Sequence, residues 1–142
     1  TLITRSCNNY GPYQHEEKFI PVIIKNALKN EKIPIYGNGL NMREWIYVEE
    51  NCKAIMYVLQ KGKNGEIYNI GSSVERTNLD LVKQILEILN KPINLIKFIE
   101  DRKGHDLRYF LDSSKIRELG WDSIIHLDTG LKKTIEWFKS QV

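Results

Sequence analysis

The sequence is short of the residues from which metal centres and cystine-stapled scaffolds are made. Among 142 residues there are two cysteines, Cys7 and Cys52, and three histidines, His15, His105 and His126. No Cys-x-x-Cys or Cys/His spacing connects them, so no metal site is implied and a reducing, cytoplasmic setting fits best. Charge of one sign is also lacking: 21 Lys and Arg against 18 Asp and Glu leave a net +3. That balance argues against a general nucleic-acid or membrane surface and leaves room for local cationic spots that meet phosphates. No apolar run approaches the length of a membrane span, and no signal-peptide pattern is present. The nine glycines never gather into a phosphate-cradling loop after a strand, so the dinucleotide fingerprint is missing. No Gly-x-Ser-x-Gly, His-Glu-x-x-His or P-loop pattern occurs either, and no activated nucleophile or acid/base group is assembled.

What is present is an ordinary globular composition, 42% hydrophobic and 27% charged, in a length that suits one domain with a real core. Repeats, linkers and low-complexity tracts are absent. Thr1-Leu2-Ile3-Thr4 reads as an extended segment without a preceding cap, so the chain is expected to be a piece of something longer. The pattern predicts a strand over 1–6 that runs into a polar turn at Asn8-Asn9-Tyr10-Gly11-Pro12. Ile20, Ile23, Ile24, Ala27 and Leu28 follow a helical period, with Pro21 tolerable in the first turn. Short strands are expected at 33–36, closed by Gly37-Asn38-Gly39, and at 45–48. Val48, Cys52, Ile55, Met56 and Leu59 suggest the buried stripe of a helix ending near Gly62, with Cys52 a small core residue. A strand at 66–70 follows. Thr77 or Asn78 then caps a helix carrying Val82, Ile85, Leu86 and Leu89, which Pro92 stops. A strand at 93–99, a charged loop from Asp101 to Arg108, a short helix from Asp112 or Ser113 to Gly120, and a last helix at 129–139 complete an α/β domain of mixed short strands and helices.

Turns at strand ends are where α/β folds place ligands, and polar residues collect there. Arg43 follows a Gly-rich turn; Arg102 and His105 stand in the charged loop. Two guanidinium forks from separate loops suit a pyrophosphate clamp. From spacing alone, two surface arginines in ordinary ion pairs are the favoured reading.

The stretch Thr4-Arg5-Ser6-Cys7-Asn8-Asn9-Tyr10-Gly11-Pro12-Tyr13 closely resembles a segment of dTDP-glucose 4,6-dehydratases, a family of extended short-chain dehydrogenase/reductases. Further matches follow in order: Glu17-Lys18-Phe19-Ile20-Pro21, Pro34-Ile35-Tyr36-Gly37, Arg43-Glu44-Trp45-Ile46-Tyr47-Val48-Glu49, Gly65-Glu66-Ile67-Tyr68-Asn69-Ile70-Gly71, Asn78-Leu79-Asp80, Asp101-Arg102-Lys103-Gly104-His105-Asp106 and Glu118-Leu119-Gly120-Trp121. The Arg43–Glu49 and Tyr-Asn-Ile-Gly stretches recur in nucleotide-sugar epimerases and decarboxylases, whereas the Asn-Asn-Tyr-Gly-Pro-Tyr and Asp-Arg-x-Gly-His-Asp stretches point more narrowly to the dehydratase.

The resemblance implies a Rossmann-type extended fold, of which 1–142 would be the carboxyl-terminal, substrate-binding part and 1–10 the tail of the Rossmann domain. It implies NAD as cofactor, dTDP-glucose as substrate and dTDP-4-keto-6-deoxyglucose as product, in deoxysugar synthesis. Hydride leaves C4 for NAD, water is lost across C5 and C6, and hydride returns to C6. The parent enzyme would dimerise through its Rossmann half, with neither nucleic acid nor membrane as partner. Asn8 would contact the sugar nucleotide and Asn9 would lie near the nicotinamide. Lys18 and Phe19 would border the substrate, and Pro34, Ile35 and Tyr36 would wall the nucleobase. Arg43 would hold the pyrophosphate. Asn78 would bind on the nucleotide side, with helix capping as its competing role. Asp101, Arg102 and His105 would close the far side.

There are departures: Cys7 follows Ser6 in reversed order, Glu44 stands where Asp is usual, Lys103 replaces Pro and Leu107 replaces a common Arg. Tyr57 and Lys61 satisfy the Tyr-x-x-x-Lys pattern of the superfamily's catalytic pair, but that pair belongs to the nucleotide-binding half, so both are read as structural. The Gly-rich loop, the true Tyr/Lys pair and the Thr-Asp-Glu acid/base group are missing, and the chain alone is expected to be inactive. Other readings are a related epimerase or UDP-glucuronate decarboxylase, and a stand-alone nucleotide-sugar-binding module.

Overall fold

Apolar residues at helical spacing place three helices against one another. In the computed structural model, which describes residues 1–141, α1 (Phe19–Leu28) buries Ile20, Ile23, Ile24 and Ala27, with Pro21 inside its first turn, where a missing N–H costs nothing. The helix α3 (Asn78–Ile88) buries Leu81, Val82, Ile85 and Leu86. The helix α5 (Leu127–Lys139) starts two residues before the expected 129 and buries Leu127, Leu131, Ile135 and Phe138.

The strands form three small sheets. β1 (Ile3–Ser6) pairs in parallel with β5 (Ile67–Ile70). β3 (Ile33–Tyr36) pairs in parallel with β7 (Ile96–Ile99). The third sheet is built on β4 (Met42–Tyr47), which takes β2 (Asn8–Tyr10) and β8 (Arg108–Tyr109) in parallel and β6 (Glu75–Thr77) antiparallel.

Strand alternation makes β4 the wall between two cores. Trp45 and Tyr47 face a large cluster with α1, α3, α5 and Ile33 and Ile35 of β3. Ile46 faces a smaller cluster with Cys7, Tyr68, Ile70, Trp121, Ala54 and Val58 of α2 (Val48–Lys61) and Ile116 of α4 (Ser114–Glu118). Glu44 shares that second face and is fully buried, its carboxylate accepting from the Ser73 N–H at 2.7 Å and the Leu111 N–H at 3.1 Å. It thereby ties β4 to two neighbouring segments. A side chain at Gly71 would run into this pinned carboxylate.

Four expectations are corrected. Asn8–Tyr10 is a strand rather than a turn, because its backbone pairs with Trp45–Tyr47 and that ladder outweighs the turn preference of asparagine. The 93–99 strand begins at Ile96, with Ile93–Leu95 forming one 3₁₀ turn after Pro92. Strands β6 and β8, unforeseen, are pinned by a bidentate Arg108–Glu75 pair at 2.7 and 2.8 Å. The buried face of α2 is Glu50, Ala54 and Val58, and Cys52, Met56 and Leu59 lie exposed. The Glu50 carboxylate accepts from the Ile124 N–H and the Lys53 ammonium, both at 2.8 Å, and this turns that side of the helix inward. Among the described residues no helix is long and apolar enough to cross a membrane.

Candidate functional site

A cavity of about 740 Å³ opens between β2, the start of α1, β3, β4, the start of α3 and the 101–105 loop. Its wall includes Asn8 and Asn9 from β2, Lys18 and Phe19 from the start of α1, Pro34 and Tyr36 from β3, Arg43 from β4, Asn78 from α3, and Arg102 and His105 from the loop. Residues spread over nearly a hundred positions therefore meet at one place.

Two residues expected at the wall do not line it. Ile35 is 1% exposed and belongs to the large core. Along the strand Ile33-Pro34-Ile35-Tyr36, side chains alternate, so only Pro34 and Tyr36 turn to the cavity. Asp101 stands behind the wall. Its Oδ1 accepts from the Arg102 N–H and faces His105 Nδ1, both at 2.8 Å. The His105 hydrogen bond, followed by that of the Arg102 N–H, holds the Asp101 carboxyl below the usual aspartate range. Asp101 thus shapes the loop that presents its neighbours. The turn at Gly37 (φ +57°) leans so close to it that a Cβ there would come within 2.7 Å of Asp101 Oδ2.

The cationic residues are prearranged. Arg43 donates from one terminal nitrogen to the Met42 carbonyl at 2.7 Å and from the other to the Asp106 carbonyl at 2.9 Å. These bonds fix the guanidinium plane and leave further N–H donors for a ligand. Arg102 stacks 4.1 Å above the Tyr36 ring, and His105 meets the same ring edge-on at 6.3 Å. The competition over Asn78 is settled locally: Thr77 caps α3, its hydroxyl oxygen accepting from the Asp80 N–H at 3.0 Å. The Asn78 side chain is left to the cavity.

Sequence reasoning missed Gln14, Glu17, Val22, Trp45 and Cys7 on the wall. Helical spacing would have found Val22, one turn beyond Phe19 and Lys18. Strand alternation would have found Trp45, two residues beyond Arg43. Trp45 stacks on Phe19 at 6.3 Å. Cys7 is buried, and burial, together with the Glu44 carboxylate, pushes its thiol up to about 12, so it is a neutral wall residue and no nucleophile. Three buried polar atoms of the wall have no partner among the described residues: Asn9 Oδ1, Gln14 Oε1 and Trp45 Nε1. Tyr57 donates to the Leu119 carbonyl at 2.8 Å, packs against the small core and is absent from the cavity wall, while Lys61 is exposed. The described residues contain no group of three or more His, Cys, Asp or Glu arranged to hold a metal ion.

The family model described as GDP-mannose 4,6 dehydratase matches residues 1–134. The low-salt glycan biosynthesis protein Agl12 of Haloferax volcanii is 49% identical over 138 residues, covering 97% of the chain and 44% of that protein. A dTDP-glucose 4,6-dehydratase of Haemophilus influenzae is 47% identical over 149 residues, covering 96% of the chain and 44% of the enzyme. The solved structure of DesIV, a dTDP-glucose 4,6-dehydratase from Streptomyces venezuelae with NAD bound, superposes with a TM-score of 0.94 at 46% identity, over 98% of the chain and 44% of DesIV. The chain spans less than half the length of the curated relatives it matches.

Proposed function

The chain belongs to the GDP-mannose 4,6 dehydratase family, with the fold of extended short-chain dehydrogenase/reductases, and we propose that it is the nucleotide-sugar-binding part of an NAD-dependent dTDP-glucose 4,6-dehydratase. The observation that carries this reading is the cavity itself. Two prearranged guanidinium groups from separate segments, Arg43 and Arg102, share a wall with Lys18, with aromatic surface beside them and the amides Asn8 and Asn78.

In this reading Arg43, Arg102 and Lys18 bind the diphosphate, since paired N–H donors match phosphate oxygens. Pro34, Tyr36 and Phe19 give the base an apolar surface, and stacking on Tyr36 requires the Arg102 plane to share or yield its place. Asn78 reads the nucleotide, Asn8 the sugar. His105 completes the loop that Asp101 shapes.

The residues present fit NAD at one point. The Asn9 amide donates to the Cys7 carbonyl at 3.0 Å, which leaves its buried Oδ1 without a donor, and a carboxamide N–H supplies one. Bound NAD supplies the hydride acceptor and donor of the reaction. This chain's residues bind and orient the substrate, and the dimer contact and acid/base groups belong to the remainder of the parent enzyme, a cytoplasmic one in this reading. Segment 1–10 is assigned to the end of the Rossmann domain.

The test is product analysis with the full-length protein, dTDP-glucose and NAD. A product that has lost one water and carries a 4-keto-6-deoxy sugar is expected. A product of unchanged mass, or turnover of UDP-sugars alone, would sink the dehydratase reading.

A further inference from the structure

Two buried polar groups of the cavity wall have no role in the diphosphate, base and cofactor assignments. Trp45 is 6% exposed, and its indole N–H has no partner. Phe19, stacked at 6.3 Å, and Tyr10, edge-on at 6.5 Å, hold the ring, so the N–H cannot swing to another acceptor. Gln14 is fixed from its other end. Its Nε2 donates to the Asn9 carbonyl at 2.9 Å, which decides the orientation of the amide and leaves Oε1 as a buried acceptor without a donor.

One fixed donor and one fixed acceptor thus border the same cavity. A phosphate answers only the donor. A sugar answers both, because each of its hydroxyls can donate and accept. Position favours a sugar hydroxyl. Trp45 lies on the same face of β4 as Arg43, about 7 Å farther along the strand. In the ladder it stands opposite Asn8. A ligand whose diphosphate meets Arg43 therefore carries its sugar toward Trp45.

We propose that Gln14 and Trp45 form a hydroxyl-reading subsite for the sugar of a nucleotide sugar, with Gln14 as a specificity-determining residue. The proposal rests on the nucleotide-sugar reading above and goes beyond it by naming what reads the sugar.

Calorimetric titration of the full-length protein with dTDP-glucose and with dTDP tests it. The variant Gln14→Met keeps side-chain length and removes both amide ends. It is expected to weaken dTDP-glucose binding roughly tenfold while leaving dTDP within about twofold. Unchanged dTDP-glucose affinity, with water alone filling the subsite, overturns the proposal. So does an equal loss for both ligands, which would mean that the Gln14–Asn9 bond only shapes the wall, or a loss confined to NAD. A wild-type protein that binds neither ligand overturns the nucleotide-sugar reading itself, and the subsite with it. A second measurement needs no variant: the assigned Trp45 indole N–H resonance is expected to shift with dTDP-glucose beyond any shift caused by dTDP. Identical indole signals in the two complexes overturn the subsite.

Discussion

The two sides of β4 are finished to different degrees. On one side, α1, α3 and α5 close over Trp45, Tyr47 and the inner face of β3, and the resulting core is sealed. On the other, a two-stranded sheet, α2 and α4 enclose a smaller cluster; Met56, Leu59, Ile3 and Ile67 lie exposed beside it, as Phe98 and Ile93 do beside the larger core. A two-stranded sheet with so little cover contributes little by itself. The cavity opens on the side of the larger core, whose packing holds β3, β4 and the starts of α1 and α3, while the 101–105 loop closes it from outside that core. Positioning of polar groups requires a surrounding that does not move, and the large core supplies it.

The largest effect that could break this contrast is in the core. Ile24→Ala and Ile85→Ala, both in the sealed cluster, are each expected to cost about 3 kcal/mol in denaturant unfolding, whereas Met56→Ala and Leu59→Ala cost less than about 0.5 kcal/mol. Comparable losses on both sides would remove the distinction. Next comes the cavity. Arg43→Ala is expected to weaken dTDP binding about thirtyfold, near 2 kcal/mol, with little change in the unfolding midpoint. A large drop in stability would show that Arg43 serves the fold through Met42 and Asp106 instead.

A smaller effect sharpens how the two sides are joined. The Glu44 carboxylate accepts one backbone N–H at each oxygen, and Glu44→Gln replaces one of those oxygens with an NH₂ that faces a donor. About 1–2 kcal/mol of stability should be lost in thermal or denaturant unfolding. The smallest predictions concern the thiols. Under native conditions a thiol reagent should modify Cys52 and spare Cys7, and both should react in denaturant. Rapid native labelling of Cys7 would contradict its burial. Because folding raises the Cys7 thiol from 9.0 to about 12, the unfolded state loses its proton first, so this contribution is complete below pH 9 and declines as pH rises toward 12. The slope approaches ~1.4 kcal/mol per pH unit in that window, and pH-dependent unfolding measures it.

The large core was legible because its helices repeat apolar residues at the helical period over two or more turns. The same reasoning failed for α2, where Val48, Cys52, Ile55, Met56 and Leu59 also satisfy the period. What turned the helix was Glu50, whose carboxylate caps the Ile124 N–H more than seventy residues away. The site shows the same division. Arg43, Arg102, His105, Lys18 and the Asn8-Asn9 pair carry their chemistry in the side chain and could be named from residue type and resemblance. Ile35 and Asp101 do not line the cavity, and the motifs that contain them do not say which neighbour faces it.

By itself the sequence determined three amphipathic helices, the turn at Gly37-Asn38-Gly39 and the inventory of cationic and amide side chains. These follow from local spacing and residue chemistry, which do not depend on distant partners. Only the tertiary structure decided that Asn8–Tyr10 extends as a strand, that α2 shows Cys52 to solvent, and that Gln14 and Trp45 face the cavity with unpaired atoms. Each of these depends on which hydrogen-bond partners the chain brings together across tens of residues, and local spacing carries no record of those pairings.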